Sequence, residues 1–463
     1  MEAHVMTSIP QDTHSHELLS KNIIRFFRTY HVSKLLRAAN AYKCKGISVV
    51  TIFMMAFSVV FVHKSLYMQW LLRKDSVPFS KDTLYRLMNS CHIHWRQFTM
   101  LLSASIIADT IQPLTNEDRI QALIIDDTLF TRARSKKVEL LAKVYDHAKG
   151  LFTFGFRMLT LCWTDGNTTL PVSYCLLSTS NAKNLITPAV TLDGRTHGAK
   201  QRKLAQRKTT DVALQLLTEA KAVGIAATHV LFDTWFCSPT SLLAIKVIGY
   251  DVIAMTKKSS KIQYRYNGIR QDVKQIYQQN KKRRGRSRYL LSVAITVQKK
   301  EQEIPARLVY VRNRHKRNQY LVLITTDMTL SEEEVIRIYG KRWGIEVFFK
   351  MCKSYLRLSK ECHSLSYDAM TAHVAIVCSR YMMIAVAQRQ TKDTRSFGEL
   401  FYWCSDEMPD IRFAEALRLL MVQFQEILSQ EGVVLEELVV QKLLDVFVDT
   451  LPAMWRQNLQ YCA

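Results

Sequence analysis

The chain has 463 residues, of which 48% are hydrophobic, a composition that is typical of a folded globular protein and argues against wholesale disorder. Its 64 Lys and Arg residues outnumber its 40 Asp and Glu residues, so that the formal net charge is +24. This excess indicates a polyanionic partner, most simply nucleic acid. Because the basic residues spread through the middle of the chain and do not flank an apolar anchor, a membrane surface is disfavoured.

The ten cysteines are scattered and include no Cys-x-x-Cys pair. Residues Cys91, His92 and His94 come nearest to a ligand cluster, and nothing elsewhere in the sequence completes four tetrahedral ligands. We therefore expect reduced thiols in a cytosolic protein without structural zinc.

Residues 1–115 are predicted to be helical. Ile23–Leu36 is amphipathic and basic, and an uncharged apolar run follows over residues 46–61. This run is shorter than the roughly 20 residues that cross a bilayer, so we expect a core helix of an all-α domain. Short basic helices in a basic protein favour a DNA-binding domain.

Two short apolar runs further along the chain each end in acidic residues. Ile120–Ile125 is followed by Asp126 and Asp127, and Thr228–Phe232 is followed by Asp233. Each run predicts a buried strand that carries carboxylates at its C-terminal end.

The segments around these strands alternate between strand and helix patterns. Leu151–Trp163 and Thr169–Ser178 predict an antiparallel pair joined by a turn that contains Asp165 and Gly166. Thr209–Val223 has helical periodicity, and Tyr250–Met255 predicts another strand. Residues 257–326 break this rhythm with several strand-like segments and basic loops, which predicts a β-rich insertion.

A helix that follows the insertion carries four polar residues on one stripe. Tyr339, Arg342, Glu346 and Lys353 fall within an arc of about 60° on an ideal helix. A carboxylate among cationic and hydroxyl groups is an arrangement suited to phosphate and a metal ion. An ordinary amphipathic helix with surface ion pairs is the alternative reading of this stripe.

Asp126, Asp233 and Glu346 make a coherent site if the two strands are neighbours, since adjacent strands lie about 5 Å apart. Three converging carboxylates repel one another unless divalent cations neutralise them, and oxygen ligands favour Mg²⁺ or Mn²⁺. Two such ions promote phosphoryl transfer on nucleic acid. Asp126 and Asp127 point to opposite faces of a strand, so only one of them can be a ligand.

These residues resemble the DDE triad of bacterial insertion-sequence transposases. The spacing Tyr339-x2-Arg342-x3-Glu346-x6-Lys353 matches the Y-R-E-K motif of the cut-and-paste, IS-four type family. The long interval between Asp233 and Glu346 suits this group, whose members carry a β-strand insertion there. The resemblance covers roughly residues 115–360, and it favours Asp126 over Asp127 because the family's first acid commonly precedes x-Thr or x-Ser.

The resemblance implies an α/β fold with a ribonuclease-H-like catalytic core, a mixed five-stranded sheet with flanking helices. We expect this core at residues 116–256 and 327–360, with the β-strand insertion at 257–326. A helical DNA-binding domain would span residues 1–115. A helical C-terminal region that could serve dimerisation would span residues 361–463.

The resemblance also assigns roles to individual residues. The acids Asp126, Asp233 and Glu346 would hold two Mg²⁺ or Mn²⁺ ions per site. Arg342 and Tyr339 would hold phosphates near the transposon end, and Lys353 would contact the backbone of that end. Tyr320 falls about where the family keeps an aromatic that stacks on a flipped base, although sheet packing explains it equally well.

Charge alone adds further candidate DNA contacts. We expect contact from basic residues after the first acid and in a basic loop of the insertion, namely Arg132, Arg134, Lys136, Lys137, Lys282, Arg283 and Arg284. A solvated loop is the alternative for the first four.

The resemblance therefore implies a transposase that excises and inserts its own element by strand cleavage, hairpin formation and strand transfer. Its partners would be the double-stranded DNA of transposon ends and target, with a homodimer in the DNA complex and no membrane. We expect a bacterial, cytoplasmic, nucleoid-associated protein. The alternatives are a metal-dependent nuclease or resolvase that only hydrolyses DNA, and a catalytically inert DNA-binding relic.

Overall fold

The computed structural model describes residues 13–61, 79–115, 119–147, 149–284, 287–313 and 319–390. Parts of the predicted N-terminal domain and residues 391–463 of the predicted C-terminal region lie outside the described residues.

The helices in the described part of the chain are α1 (Thr13–Thr29), α2 (Val32–Ala38), α3 (Val49–Ser58), α4 (Lys81–Met88), α5 (Trp95–Ile106), α6 (His197–Ala205), α7 (Thr209–Ala222), α8 (Pro239–Ile248), α9 (Val273–Gln279), α10 (Glu332–Gly340), α11 (Trp343–Ser354) and α12 (Tyr367–Gln390), and a π-helical turn, Ile107–Ile111, extends α5. The strands are β1 (Ala122–Thr131), β2 (Ala142–Asp146), β3 (Leu151–Thr164), β4 (Thr169–Leu177), β5 (His229–Phe232), β6 (Asp251–Met255), β7 (Tyr264–Tyr266), β8 (Ile269–Gln271), β9 (Tyr289–Lys299), β10 (Gln302–Arg312) and β11 (Tyr320–Thr325).

All of these strands belong to one mixed sheet with the order β2-β3-β1-β5-β6-β11-β10-β9-β7-β8, and β4 also pairs with β3. β1, β5 and β6 are parallel, and the other pairs are antiparallel. The predicted five strands are present as β4-β3-β1-β5-β6, but the sheet is larger than predicted. Pairing of β11 with β6, with Leu323 opposite Met255, lets the strands of the predicted insertion continue the same sheet.

The prediction that Asp126 and Asp127 lie at the C-terminal end of the first strand is wrong. β1 continues to Thr131 because the long strand β3 pairs with all of it, from Ala122 opposite Thr164 to Thr131 opposite Gly155. On its other side β1 pairs with β5 only as far as Ile125. Asp126 therefore lies in mid-strand, at the point where its β5 neighbour stops.

Helices cover the sheet and bury a continuous core. The apolar run at 46–61 contains α3, whose buried side chains include Ile52, Phe53 and Phe57, as expected of a core helix. Helix α12 is long and apolar enough to cross a membrane by length and composition alone, but its apolar stretch is wholly buried inside the fold. A buried guanidinium on α12, that of Arg380, donates to the backbone carbonyls of the last turn of α3 and thereby ties the two helices together.

The stretch that carries Tyr339 and Lys353 is not one continuous helix, contrary to prediction. Helix α10 begins with a capping box between Ser331 and Glu334, as the sequence predicts, and ends at Gly340. Lys341 and Arg342 then form a tight turn, in which each amide donates to the carbonyl three residues earlier. The ideal stripe therefore holds only for Arg342, which is the N-cap of α11, and for Glu346 and Lys353 within that helix.

Candidate active site

Strand register brings two of the predicted acids side by side. Ile125 on β1 lies opposite Phe232 on β5, and the next residue on each strand is an aspartate, Asp126 and Asp233. In each case the following residue's amide donates to the aspartate Oδ1, at 2.8 Å for Asp126 and 2.5 Å for Asp233. Both side chains are thus held where β5 ends.

Helix α11 brings the third acid to the same place through an arginine. Arg342 donates from Nη1 to Asp126 Oδ2 at 2.8 Å and from Nη2 to Glu346 Oε1 at 2.5 Å. The arginine side chain is only 15% exposed, so these are charge-assisted contacts in a partly desolvated setting. One guanidinium therefore bridges an acid on the sheet and an acid on the helix.

The charged form of Asp126 is destabilised in this site, chiefly by burial. Burial raises the pKa of Asp126 to about 6, and the charges of Asp127 and Asp233 add to this rise. The amide of Asp127 and the guanidinium of Arg342 act in the opposite direction without cancelling it. The site thus gains from additional positive charge.

Tyr339 reaches the same site from the end of α10. Its hydroxyl is buried beside the guanidinium of Arg342, without a well-directed hydrogen bond among the residues that the structure describes. Burial raises the pKa of Tyr339, Arg342 acts to lower it, and the charges of Asp233 and Asp126 act to raise it. A buried hydroxyl without a well-directed hydrogen bond beside carboxylates is available to a ligand.

The two adjacent aspartates on β1 have different surroundings. Asp126 faces Arg342, whereas Asp127 forms an ion pair at 2.9 Å with Arg157 of the neighbouring strand. Lys353 of α11 donates to Thr128 Oγ1 at 2.6 Å, and Thr128 lies on the same face of β1 as Asp126. Asp126 therefore contacts Arg342 at the start of α11, whereas Asp127 is paired with Arg157 on β3.

The oxygen donors at this site are of the type that a hard divalent cation prefers. They are carboxylate oxygens, with a tyrosine hydroxyl nearby, and such donors suit Mg²⁺ or Mn²⁺. In the described ranges, however, no three His, Cys, Asp or Glu side chains are arranged closely enough to hold a metal ion together. The bridge made by Arg342 accounts for this spacing, since a guanidinium lies between Asp126 and Glu346.

Tyr320, the predicted stacking aromatic, is engaged within the protein. Its ring stacks on Tyr277 of α9 with centroids 4.1 Å apart and an interplanar angle of 23°. The ammonium of Lys258 lies over the same ring at 4.3 Å and donates to the Tyr320 carbonyl at 2.6 Å. The ring therefore has a packing role, which was the alternative reading of the sequence.

The predicted basic contacts divide into two kinds. Arg132 is half-buried, lies over the ring of Phe130 at 4.3 Å and donates to the Thr131 carbonyl. The exposed members of the set are Arg134, Lys136, Lys137, Arg283 and Arg284, and Lys282 is partly exposed. The cationic groups of Lys282 and Arg283 lie over tyrosine rings of the insertion, which orients them beside the sheet.

Two residues that contact predicted site residues were not selected from the sequence. Thr128 accepts the hydrogen bond from Lys353. It could have been predicted from the sequence, because it lies two positions after Asp126 and therefore on the same face of the strand. Tyr277 stacks on Tyr320 from a different element, and no local pattern points to that contact.

Comparison with protein families gives one match. A model described as DDE superfamily endonuclease matches residues 66–318, more than half of the chain. The match includes Asp126 and Asp233 and ends before α11, so Glu346 lies outside it. No curated protein matches the chain. The extent of the family match shows that the chain belongs to the DDE superfamily endonuclease family.

Proposed function

We propose that this protein is a DNA transposase that cuts and joins the ends of its own element. Membership of the DDE superfamily supports a nuclease or transposase type of function on DNA. The observation that carries the proposal is that Asp126 has Asp233 as its strand neighbour and shares the Arg342 guanidinium with the helix residue Glu346. The strand order β4-β3-β1-β5-β6, with a parallel centre and an antiparallel edge, supports a ribonuclease-H-like core.

DDE endonuclease domains are generally dependent on divalent metals, and we propose Asp126, Asp233 and Glu346 as the ligands of two Mg²⁺ or Mn²⁺ ions. Bound there, such ions would activate the attacking oxygen and stabilise the leaving oxygen of a phosphodiester. The raised pKa of Asp126 supports this assignment, because the charge on that carboxylate is incompletely compensated by the protein alone.

The other residues of the site are suited to holding the DNA strand. Arg342 has a planar fork of donors that matches a phosphate as well as it matches a carboxylate. Tyr339 offers a buried hydroxyl without a well-directed hydrogen bond among the described residues, and Lys353 lies two turns after Glu346 on the same face of α11. We assign these three side chains to phosphates on either side of the scissile bond.

The N-terminal helices supply a separate basic surface. A groove of about 840 Å³ between α1, α2 and α3 is lined by Arg28, Lys34 and Arg37 together with apolar side chains. All three cationic side chains are exposed. Their chemistry supports phosphate contacts by this region, as proposed for a DNA-binding N-terminal domain.

Joining two ends of one element requires two active sites acting together. Since each chain carries one group of acids, we propose that two copies of the chain assemble on the pair of DNA ends. We place this complex on the bacterial nucleoid, where its substrate lies.

The test uses DNA that carries the gene with its natural flanks, purified protein and Mg²⁺. We expect paired breaks at the two boundaries of the element, some of them sealed as hairpins. Glu346→Gln should reduce cleavage by at least about a hundredfold, since it removes a charged catalytic group while preserving size. Binding of the same DNA should persist.

Scattered nicks that are equally frequent inside and outside the element would support a hydrolytic nuclease instead. Binding without any cut under Mg²⁺ or Mn²⁺ would mean that the acids are present but that the protein only binds DNA and does not cleave it. Unchanged cleavage by the Glu346→Gln variant would remove this glutamate from the site.

A further inference from the structure

The hairpin formed by β2 and β3 carries an exposed aromatic pair. Tyr145 lies directly opposite Phe152, and their ring centroids are 5.2 Å apart at an interplanar angle of 70°. Tyr145 is 39% exposed and Phe152 is 57% exposed. The adjacent Leu151 is 49% exposed. Large apolar side chains that cluster on a surface mark a contact site more often than scattered ones do.

A cationic group lies over this aromatic pair, and a second one lies in the adjacent turn. The ammonium of Lys143 lies over the Phe152 ring at 5.0 Å, and the ring of His147 packs edge-on against Tyr145 at 5.0 Å. Lys149 is exposed in the turn of the hairpin. Flat apolar rings flanked by positive charge match the chemistry of nucleic acid, which presents base faces beside phosphates.

Strand β3 pairs with β1, the strand that carries Asp126, and then continues into the hairpin. β3 pairs with β1 up to Gly155, and the hairpin residues lie beyond that point. A side chain at Gly155 would collide with the carbonyl oxygen of Phe130, so glycine lets the two strands approach closely at the base of the hairpin.

Strand β3 connects the aromatic pair to the candidate active site. Asp126 on β1 lies opposite Thr160 on β3, and β3 runs from Thr160 to Phe152 as one strand. Arg157, which lies between these two residues on β3, forms the ion pair with Asp127. The aromatic pair and the site residues thus lie on two directly paired strands.

We propose that Tyr145 and Phe152, with Lys143 and Lys149, bind bases that are unpaired or unstacked in the DNA beside the cleavage site. The inference rests on the proposed function, since it assigns the hairpin to the same DNA substrate. Tyr320 is engaged by Tyr277 and Lys258, whereas the hairpin rings are open to solvent. Base–aromatic stacking tolerates any sequence, so the surface requires no particular end sequence.

The test compares the double variant Tyr145→Ala/Phe152→Ala with wild type and with Val247→Ala, a control that removes a 79% exposed apolar side chain from α8. Binding is measured without divalent metal, so that the readout does not depend on cleavage. The probes are a forked DNA with single-stranded arms and a fully paired duplex of the same length. The arms carry 5-iododeoxyuridine for photocrosslinking.

We expect the double variant to bind the forked DNA at least about fivefold more weakly, the lower end of the effect of losing one base stack. Duplex binding and the melting temperature should be unchanged, because both rings are exposed. Crosslinks from the arms should map to Tyr145 or Phe152 in the wild type. The Val247→Ala control should behave as wild type in every assay.

Equal binding of forked DNA by the double variant and wild type, with no crosslink to the hairpin, would overturn this inference. A change in oligomeric state without a change in DNA binding would also overturn it and would assign the rings to a second copy of the chain. Crosslinking to the hairpin in a protein that cuts no DNA would uphold the inference and refute the proposed catalysis. The two proposals can therefore fail separately.

Discussion

Asp126→Asn is expected to abolish DNA cleavage, whereas Asp127→Asn is expected to retain most of it. The two substitutions are chemically identical and lie one residue apart, so each is the control for the other. Asp126 contacts the guanidinium that also holds Glu346, and its strand neighbour is Asp233. Asp127 instead pairs with Arg157. We expect a loss of at least about a hundredfold for Asp126→Asn.

The assay measures cleavage of element DNA at saturating protein, with melting temperatures recorded for both variants. Asp127→Asn is expected to lower stability modestly, because it leaves the partly buried Arg157 without its carboxylate partner. Cleavage that survives Asp126→Asn and disappears with Asp127→Asn would exchange the roles of the two residues. Equal loss in two well-folded variants would show that both carboxylates are required.

Arg380→Met is expected to destabilise the fold by about 3–5 kcal/mol, the usual cost of breaking a buried ion pair from one side. Arg380 is fully buried and forms a two-point ion pair with Glu361, at 2.6 and 3.1 Å. It also donates to the carbonyls of Phe57 and Ala56 at the end of α3. Its removal leaves a buried carboxylate and two carbonyl groups without their donors.

Urea denaturation measures the free energy of unfolding. The double variant Arg380→Met/Glu361→Gln is expected to recover part of the loss, because it removes the uncompensated charge. An Arg380→Met protein within about 1 kcal/mol of wild type would show that other contacts hold α3 against α12. A double variant no more stable than the single one would show that the carbonyl contacts dominate.

Local patterns predicted much of the secondary structure. The turn with Asp165 and Gly166 joins β3 and β4, and Ser331 begins α10 with its capping box, because both features depend on neighbours in sequence. Asp233 follows β5 as predicted. Some elements were missed, among them α6, which lacks an apolar periodicity, and the short strand β2, which alternates only weakly.

Non-local contacts explain the errors. The length of β1 depends on its pairing with β3, which no property of residues 122–131 specifies. The break after Gly340 coincides with tight packing of the next turn, since a side chain at Gly344 would collide with Thr169. Likewise, the size of the sheet depends on the pairing of β11 with β6, two strands far apart in sequence.

The sequence identified the acids and the arginine of the site but did not predict the contacts between them. Spacing on an ideal helix placed Arg342 and Glu346 on one face, and the structure adds that the same guanidinium reaches Asp126 across the sheet. The engagement of Tyr320 by Tyr277 likewise requires two elements to pack together. The residue types of a site can be predicted from local sequence, whereas contacts between side chains of different elements can be described only once the fold is known.

We propose that Asp126, Asp233 and Glu346 together bind divalent cations. The most direct measurement is a titration of the protein with Mn²⁺, in which electron paramagnetic resonance reports the free ion. We expect saturable binding of two ions per chain, competition by Mg²⁺, and loss of at least one site in Asp126→Asn but none in Asp127→Asn. Absence of saturable binding at Mn²⁺ concentrations that support cleavage, or identical binding by wild type and Asp126→Asn, would contradict the account.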